Sequence, residues 1–184
     1  MPTIISHGIA ALALGKIIAF QRLPARFWIL AVICAILPDA DVLGFAFVVR
    51  YGDLLGHRGL THSLLFALVI GLAVGGLLSY TTPSLRSAWP LMVIFFFAVT
   101  ASHGLLDAMT NGGLGVALFA PFSNTRYFFP WRPIRVSPIG IDAFFSSPIP
   151  VLWSEIKWIW LPSALLAVTA QYLWSKFERR KADT

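Results

Sequence analysis

Apolar residues along this chain come in runs about as long as a bilayer is thick, and polar residues gather where the runs stop. The first run is Ile4–Phe20, the second Phe27–Leu37, the third Leu64–Tyr80, the fourth Leu91–Leu106 and the fifth Trp158–Trp174. Each predicts a helix. The second is only half a span. Pro38 disfavours helix at Leu37, Asp39-Ala40-Asp41 follows, and apolar residues resume at Val42–Val49. Gly71, Gly75 and Gly76 give the third run a small-residue face suited to close helix packing. Between the fourth and fifth runs lies a long excursion, Ala108–Lys157, with prolines at 121, 130, 133, 138, 148 and 150 and with Arg126, Arg132 and Arg135. It is too apolar for a disordered linker. The pattern predicts a re-entrant or lid-like segment lying on the membrane surface over the polar run ends.

Composition turns this pattern into a fold class. Hydrophobic residues make up 58% of the 184 and charged ones 12%, half the share of an average soluble domain. The expectation is all-α: a polytopic membrane helix bundle of about four to five transmembrane helices, with a long non-cytoplasmic excursion before the last one. Residues 1–184 read as a single domain. Met1–Phe20 lacks a basic leader and a small-residue cleavage site, so it reads as a retained first helix. The net charge is +6, carried by basic residues at run ends rather than in a nucleic-acid-binding patch. No nucleic acid is expected. Cys34 is the lone cysteine and forms no disulfide within the chain.

Orientation follows from the basic residues. Lys176, Arg179, Arg180 and Lys181 end the chain, and by the positive-inside rule they are cytoplasmic. Tracing back, Arg22, Arg26 and Arg86 also fall inside. His7, Asp39, Asp41, His57, His62, His103 and Asp107 then all fall outside, on the non-cytoplasmic face. Every histidine of the chain and three of its eight acidic residues meet at one face.

Imidazole and carboxylate together suit zinc, and also manganese or ferrous iron. The candidate metal ligands are His7, Asp39, Asp41, His57, His62, His103 and Asp107. His103 and Asp107 are four apart and project from one helix face. Seven candidates exceed one tetrahedral zinc, so either two ions bind or some residues support the ligands. Such a metal lowers the pKa of a bound water and makes hydrolysis the natural chemistry. Asp39 or Asp41 is then the candidate base, and Arg58 the candidate fork for a phosphate. Blander readings stand beside these. Thr61 or Ser63 caps the third helix, His103 is a buried hydrogen-bonded histidine, His7 touches headgroups, and Arg58 snorkels.

The motifs that carry a resemblance are His7, Pro38-Asp39-Ala40-Asp41, His57-Arg58-Gly59-Leu60-Thr61-His62-Ser63 and Ser102-His103-Gly104-Leu105-Leu106-Asp107, with Pro121-Phe122-Ser123 and Arg132-Pro133-Ile134 behind them. Over nearly its whole length the chain resembles the predicted membrane-bound metal-dependent hydrolases, the LexA-regulated inner-membrane family. A more distant similarity is to zinc-dependent phospholipase C and the single-strand nucleases of that fold. It implies His7, Asp39 or Asp41, His57 or His62, and His103 with Asp107 as zinc ligands. No histidine follows His103, so the resemblance implies one or two ions, not three. The expected function is a metal-dependent hydrolase that cleaves a phosphoester, of a membrane lipid or another amphiphile, with zinc or else manganese. The alternatives are a metal-binding transporter or sensor without hydrolysis, and a structural cluster that only holds helices together. Transport wants ligands near the midplane, and these lie at one end.

Overall fold

Hydrophobic continuity carries the helices further than the punctuation suggests. The computed structural model describes residues 1–18, 23–146 and 148–182. Helix α1 spans Ile4–Ile18, α2 Ala25–Phe47, α3 Leu64–Thr81 and α4 Pro83–Ala108. A short α5, Ile141–Phe145, precedes α6, Pro148–Lys181. Four of these, α2, α3, α4 and α6, are long and apolar enough to cross a membrane, and α1 is a shorter apolar helix. Among the described residues there is no strand, only two isolated bridges, Thr110 with Ile134 and Val116 with Tyr127. The chain is the expected polytopic helix bundle. Arg22 and the last residues of the first run, Ala19 and Phe20, lie outside the described residues.

Boundaries differ from expectation in α2, α4 and α6; α4 begins at Pro83 rather than Leu91, through a 3-10 segment Pro83–Ala88. Pro38 does not end α2. At Leu37 the helix tightens to 3-10 geometry and continues to Phe47; Pro38 has no N–H for the Ala35 carbonyl three residues back, and that carbonyl accepts from His103 Nδ1 instead. The last helix starts at Pro148 rather than Trp158, because proline fits the first helical position, where its missing N–H is an orphan donor in any case, and it widens into a π-helical segment at Ile156–Trp160.

The helices pack around a core of Ala11, Phe27, Ala31, Cys34, Phe95, Phe96 and Val99, contributed by α1, α2 and α4. Gly71 and Gly75 of α3 sit against α4. A Cβ on Gly71 would lie 2.8 Å from Phe97 N, and one on Gly75 2.7 Å from Met92 O, whereas Gly76 faces open space. Large apolar side chains such as Ile29, Leu43, Leu72, Ile94 and Leu165 point outward, as a lipid-facing surface requires. Arg26 reaches the Thr81 carbonyl and Arg86 the Tyr80 carbonyl, so both basic residues sit at the C-terminal end of α3.

At the opposite end the excursion folds down as expected. Its backbone bonds to the histidine segment through Ala117 N to Arg58 O and Leu64 N to Leu118 O. It bonds to the end of α4 through Phe129 N to Ala108 O and Ile134 N to Met109 O. Arg126 donates to the carbonyls of His57, Tyr51 and Asp53. These bonds seat the segment over the polar ends of α2, α3 and α4.

Candidate metal centre

Each element delivers its polar residue for a local reason. His7 lies one turn into α1. Asp39 and Asp41 lie two apart on the 3-10 part of α2, so they face different neighbours. The segment between α2 and α3 makes a single 3-10 turn, Leu60–His62, then stops at Ser63. The Ser63 hydroxyl accepts from Phe66 N and caps α3. Thr61 has another job: its hydroxyl donates to Asp41 Oδ2 at 2.7 Å. His62 presses on α4 where Gly104 leaves room, since a Cβ there would lie 2.7 Å from His62 O. His103 and Asp107 share the facing side of α4.

The fold brings Asp39, His62, His103 and Asp107 together, with one ligand atom from each within 4.8 Å of the others, and all four are buried. His103 Nδ1 donates to the Ala35 carbonyl at 2.7 Å, which leaves the Nε2 lone pair pointing inward. That Nε2 lies 3.1 Å from His62 Nε2 and 3.3 Å from Asp39 Oδ1. His62 Nε2 lies 3.5 Å from Asp107 Oδ2 and 3.7 Å from Asp39 Oδ1. Ligand atoms about 2.0–2.2 Å from one tetrahedral zinc are roughly 3.3 Å from one another. The spacing therefore fits a single divalent ion.

Unpartnered atoms make the same point. Among the described residues, the buried side-chain nitrogens and oxygens without a hydrogen bond belong to His7, Asp39, Arg58 and Asp107. Arg58 Nε and Asp107 Oδ2 pair with each other at 3.0 Å. Asp39 Oδ1 and Asp107 Oδ1 are left facing histidine nitrogens at 3.3–3.7 Å, and leaving a buried polar group unpaired costs roughly 1–3 kcal/mol, more if charged. His7 stacks on His103 with ring centroids 3.8 Å apart. Its Nε2 lies 3.7 Å from Asp107 Oδ1, the oxygen not facing His62. His7 thus stands beside the four-residue group, across Asp107 from it.

A second group, Asp41, His57 and His62, shares His62 with the first. Its geometry is that of a hydrogen-bonded chain. His57 Nδ1 lies 2.7 Å from Asp41 Oδ1, too short for two ligands of one ion, and Asp41 Oδ2 accepts from Thr61 and from Arg58 N and lies 3.1 Å from His62 Nδ1. Asp39 has both oxygens unpartnered and Asp41 has both engaged. His62 feels all three carboxylates. Burial opposes its charge, but Asp107, Asp39 and Asp41 outweigh that and push its pKa up to about 10.

Arg58 corrects an expectation. Its guanidinium is fully buried and its fork is engaged by the protein. Nη1 donates to the carbonyls of Gly112 and Leu114, Nη2 to Thr110 Oγ1, and Nε lies 3.0 Å from Asp107 Oδ2. The backbone adopts a left-handed φ of 63°, uncommon for a side chain of this size. That twist aims the side chain at Asp107 while the amide reaches Asp41. No donor pair is left over for a phosphate.

Sequence reading passed over Glu155. It is fully buried in α6 and accepts from Thr3 and Ser6 at the start of α1. Its signal was present, because a carboxylate in a membrane helix is rarely idle. It was assigned to the excursion instead.

The model of the YdjM inner membrane protein family matches residues 1–182. The chain belongs to that family. It is also 40% identical over 171 residues to the Escherichia coli (strain K12) inner membrane protein YbcI, covering 90% of this chain and 95% of that one. No solved structure matches. With four apolar helices long enough to span, the protein is a multi-pass inner-membrane protein. Neither description names an activity, a metal or a likeness to phospholipase C.

Proposed function

We propose that this protein is a metal-dependent hydrolase of the inner membrane that cleaves a phosphoester, of a lipid or another amphiphile. The carrying observation is the buried group Asp39, His62, His103 and Asp107, whose ligand atoms lie within 4.8 Å of one another, with Asp39 and the neighbouring His7 lacking any side-chain hydrogen bond. The donor set, imidazole and carboxylate without thiolate, suits zinc, with manganese as the alternative. Asp39, His62, His103 and Asp107 are the proposed ligands, with His7 beside Asp107 completing the shell or beginning a second one.

When bound, such an ion polarises a phosphoryl oxygen and makes water nucleophilic near neutral pH. The remaining roles fall to the chain. Asp41 orients His57 and His62 through its two oxygens, and the Asp41–His57 pair is the proposed acceptor of the water's proton. Arg58 holds Asp107 in place and offsets its charge. The excursion keeps bulk water off the cluster.

Closure of the site favours a second reading. Every proposed ligand is at most 5% exposed, which suits an inner-membrane protein that holds metal, as a sensor does, without turnover. The test is elemental analysis of detergent-purified protein beside Asp39→Asn and Asp107→Asn, followed by phosphodiester and mixed-micelle phospholipid assays. One or two equivalents of zinc or manganese are expected, lost in both variants, with hydrolysis abolished by chelation. Metal without turnover on any phosphoester favours the sensor. Metal-free protein after reconstitution sinks both readings.

A further inference from the structure

Glu155 lies 149 residues from Ser6 in sequence, yet its carboxylate closes the first turn of α1. Oε1 accepts from Thr3 N at 2.6 Å. Oε2 accepts from Thr3 Oγ1 and Ser6 Oγ, both at 2.6 Å. Ser6 Oγ in turn accepts from Trp160 Nε1 at 2.7 Å. Glu155 and Ser6 are fully buried. The free amides of a helix's first turn carry partial positive charge and call for an acceptor, and α1 takes its acceptor from another helix.

Two features say this contact does more than tie helices together. Ser6 is followed directly by His7, whose ring stacks on His103 and faces Asp107. The α6 backbone also departs from regular helix just after Glu155, at the π-helical segment Ile156–Trp160. Such widenings re-aim side chains and occur often at functional sites. Here the segment includes Trp160, which bonds Ser6. A simple apolar contact between α1 and α6 would need neither the carboxylate nor the widened turn. Charged groups in a membrane helix are costly, and the three short hydrogen bonds offset that cost at one place, the turn that bears His7.

We propose that Glu155 is a positioning residue of the metal centre: it fixes the height and rotation of α1 so that His7 lies against His103 and Asp107. The last helix is thereby coupled to a site to which it contributes no ligand. The inference rests on the metal centre proposed above only for its metal arm, because ring stacking is readable without metal.

The experiment uses full-length protein in detergent, 15N-labelled at histidine, as wild type, Glu155→Gln and Ser6→Ala. With four histidines in the chain, each ring is followed by NMR. In both variants the His7 and His103 ring signals are expected to move while that of His57 stays in place. Zinc titration is expected to show affinity weakened about tenfold or more, as when the support of a ligand is removed. His7 and His103 signals that superimpose on wild type in a folded variant overturn the proposal. If Glu155→Gln fails to fold, Ser6→Ala, which deletes one bond of the same clamp, carries the comparison. If wild type takes up no zinc, the metal reading falls, and the ring signals still decide whether Glu155 positions His7.

Discussion

Asp39 and Asp41 are two residues apart and chemically identical, yet their surroundings divide the labour. Asp41 accepts from Thr61 and the Arg58 amide and bonds His57, whereas Asp39 has no hydrogen bond at either oxygen. Sequence alone cannot separate them, because the difference arises from what the loop between α2 and α3 brings to each. The same carboxylates set the protonation of His62. Its ordinary pKa of 6.5 is raised to about 10, so near neutral pH this imidazole holds a proton between Asp39, Asp41 and Asp107. A histidine binds metal only as the neutral imidazole, and zinc therefore has to displace that proton. The sign follows: falling pH favours the proton and weakens zinc, and rising pH strengthens zinc until pH passes about 10. From His62 alone, apparent affinity should rise by about tenfold per pH unit between pH 6 and 8. Calorimetry at pH 7.5 in two buffers of different ionisation enthalpy should show roughly one proton released per ion. Zinc binding without proton release would remove His62 from the ligand set.

At the scale of elements, the runs of apolar residues made five helices legible, and the four-residue spacing placed His103 and Asp107 on one face. What stayed hidden was contact across elements. Nothing local says that the His62 carbonyl would lie against Gly104, or that Glu155 would cap a helix begun 152 residues earlier. Beside two histidines Arg58 reads as a phosphate fork, and only the folded excursion supplies the Gly112, Leu114 and Thr110 oxygens that occupy it. Pro38 reads as a helix end, but the helix runs on past it and the Ala35 carbonyl accepts from His103. Close approach at Gly104 gives a direct prediction. A methyl group there meets backbone, which cannot swing aside as a side chain can. Gly104→Ala should destabilise the protein by about 1–3 kcal/mol and weaken zinc binding, since His62 must move. Gly76→Ala, with nothing near its added methyl, should lose neither. Thermal unfolding of both variants with and without zinc checks this, and indistinguishable melting of the two would sink it.

For the whole molecule, the decisive asymmetry is between its two ends. One end gathers Lys16, the Arg26 and Arg86 contacts with the end of α3 and the basic C-terminal turn of α6. The other gathers every candidate ligand, Glu155 and the excursion. The positive-inside rule puts the first end in the cytoplasm. The arginines of the excursion, Arg126, Arg132 and Arg135, pull the other way, but long external segments weigh little in the rule. The candidate metal centre is therefore expected at the periplasmic face. The lone cysteine makes this measurable, since Cys34 is buried at 1% exposure and should give little background labelling. In spheroplasts a membrane-impermeant maleimide should label Thr125→Cys in the excursion at once. It should label Arg179→Cys near the C-terminus only after the inner membrane is permeabilised. The reverse pattern would turn the molecule over and put the metal centre on cytoplasmic substrates. Labelling of both sites before permeabilisation would mean that α6 does not cross, and the helix carrying Glu155 would then lie along the membrane rather than through it.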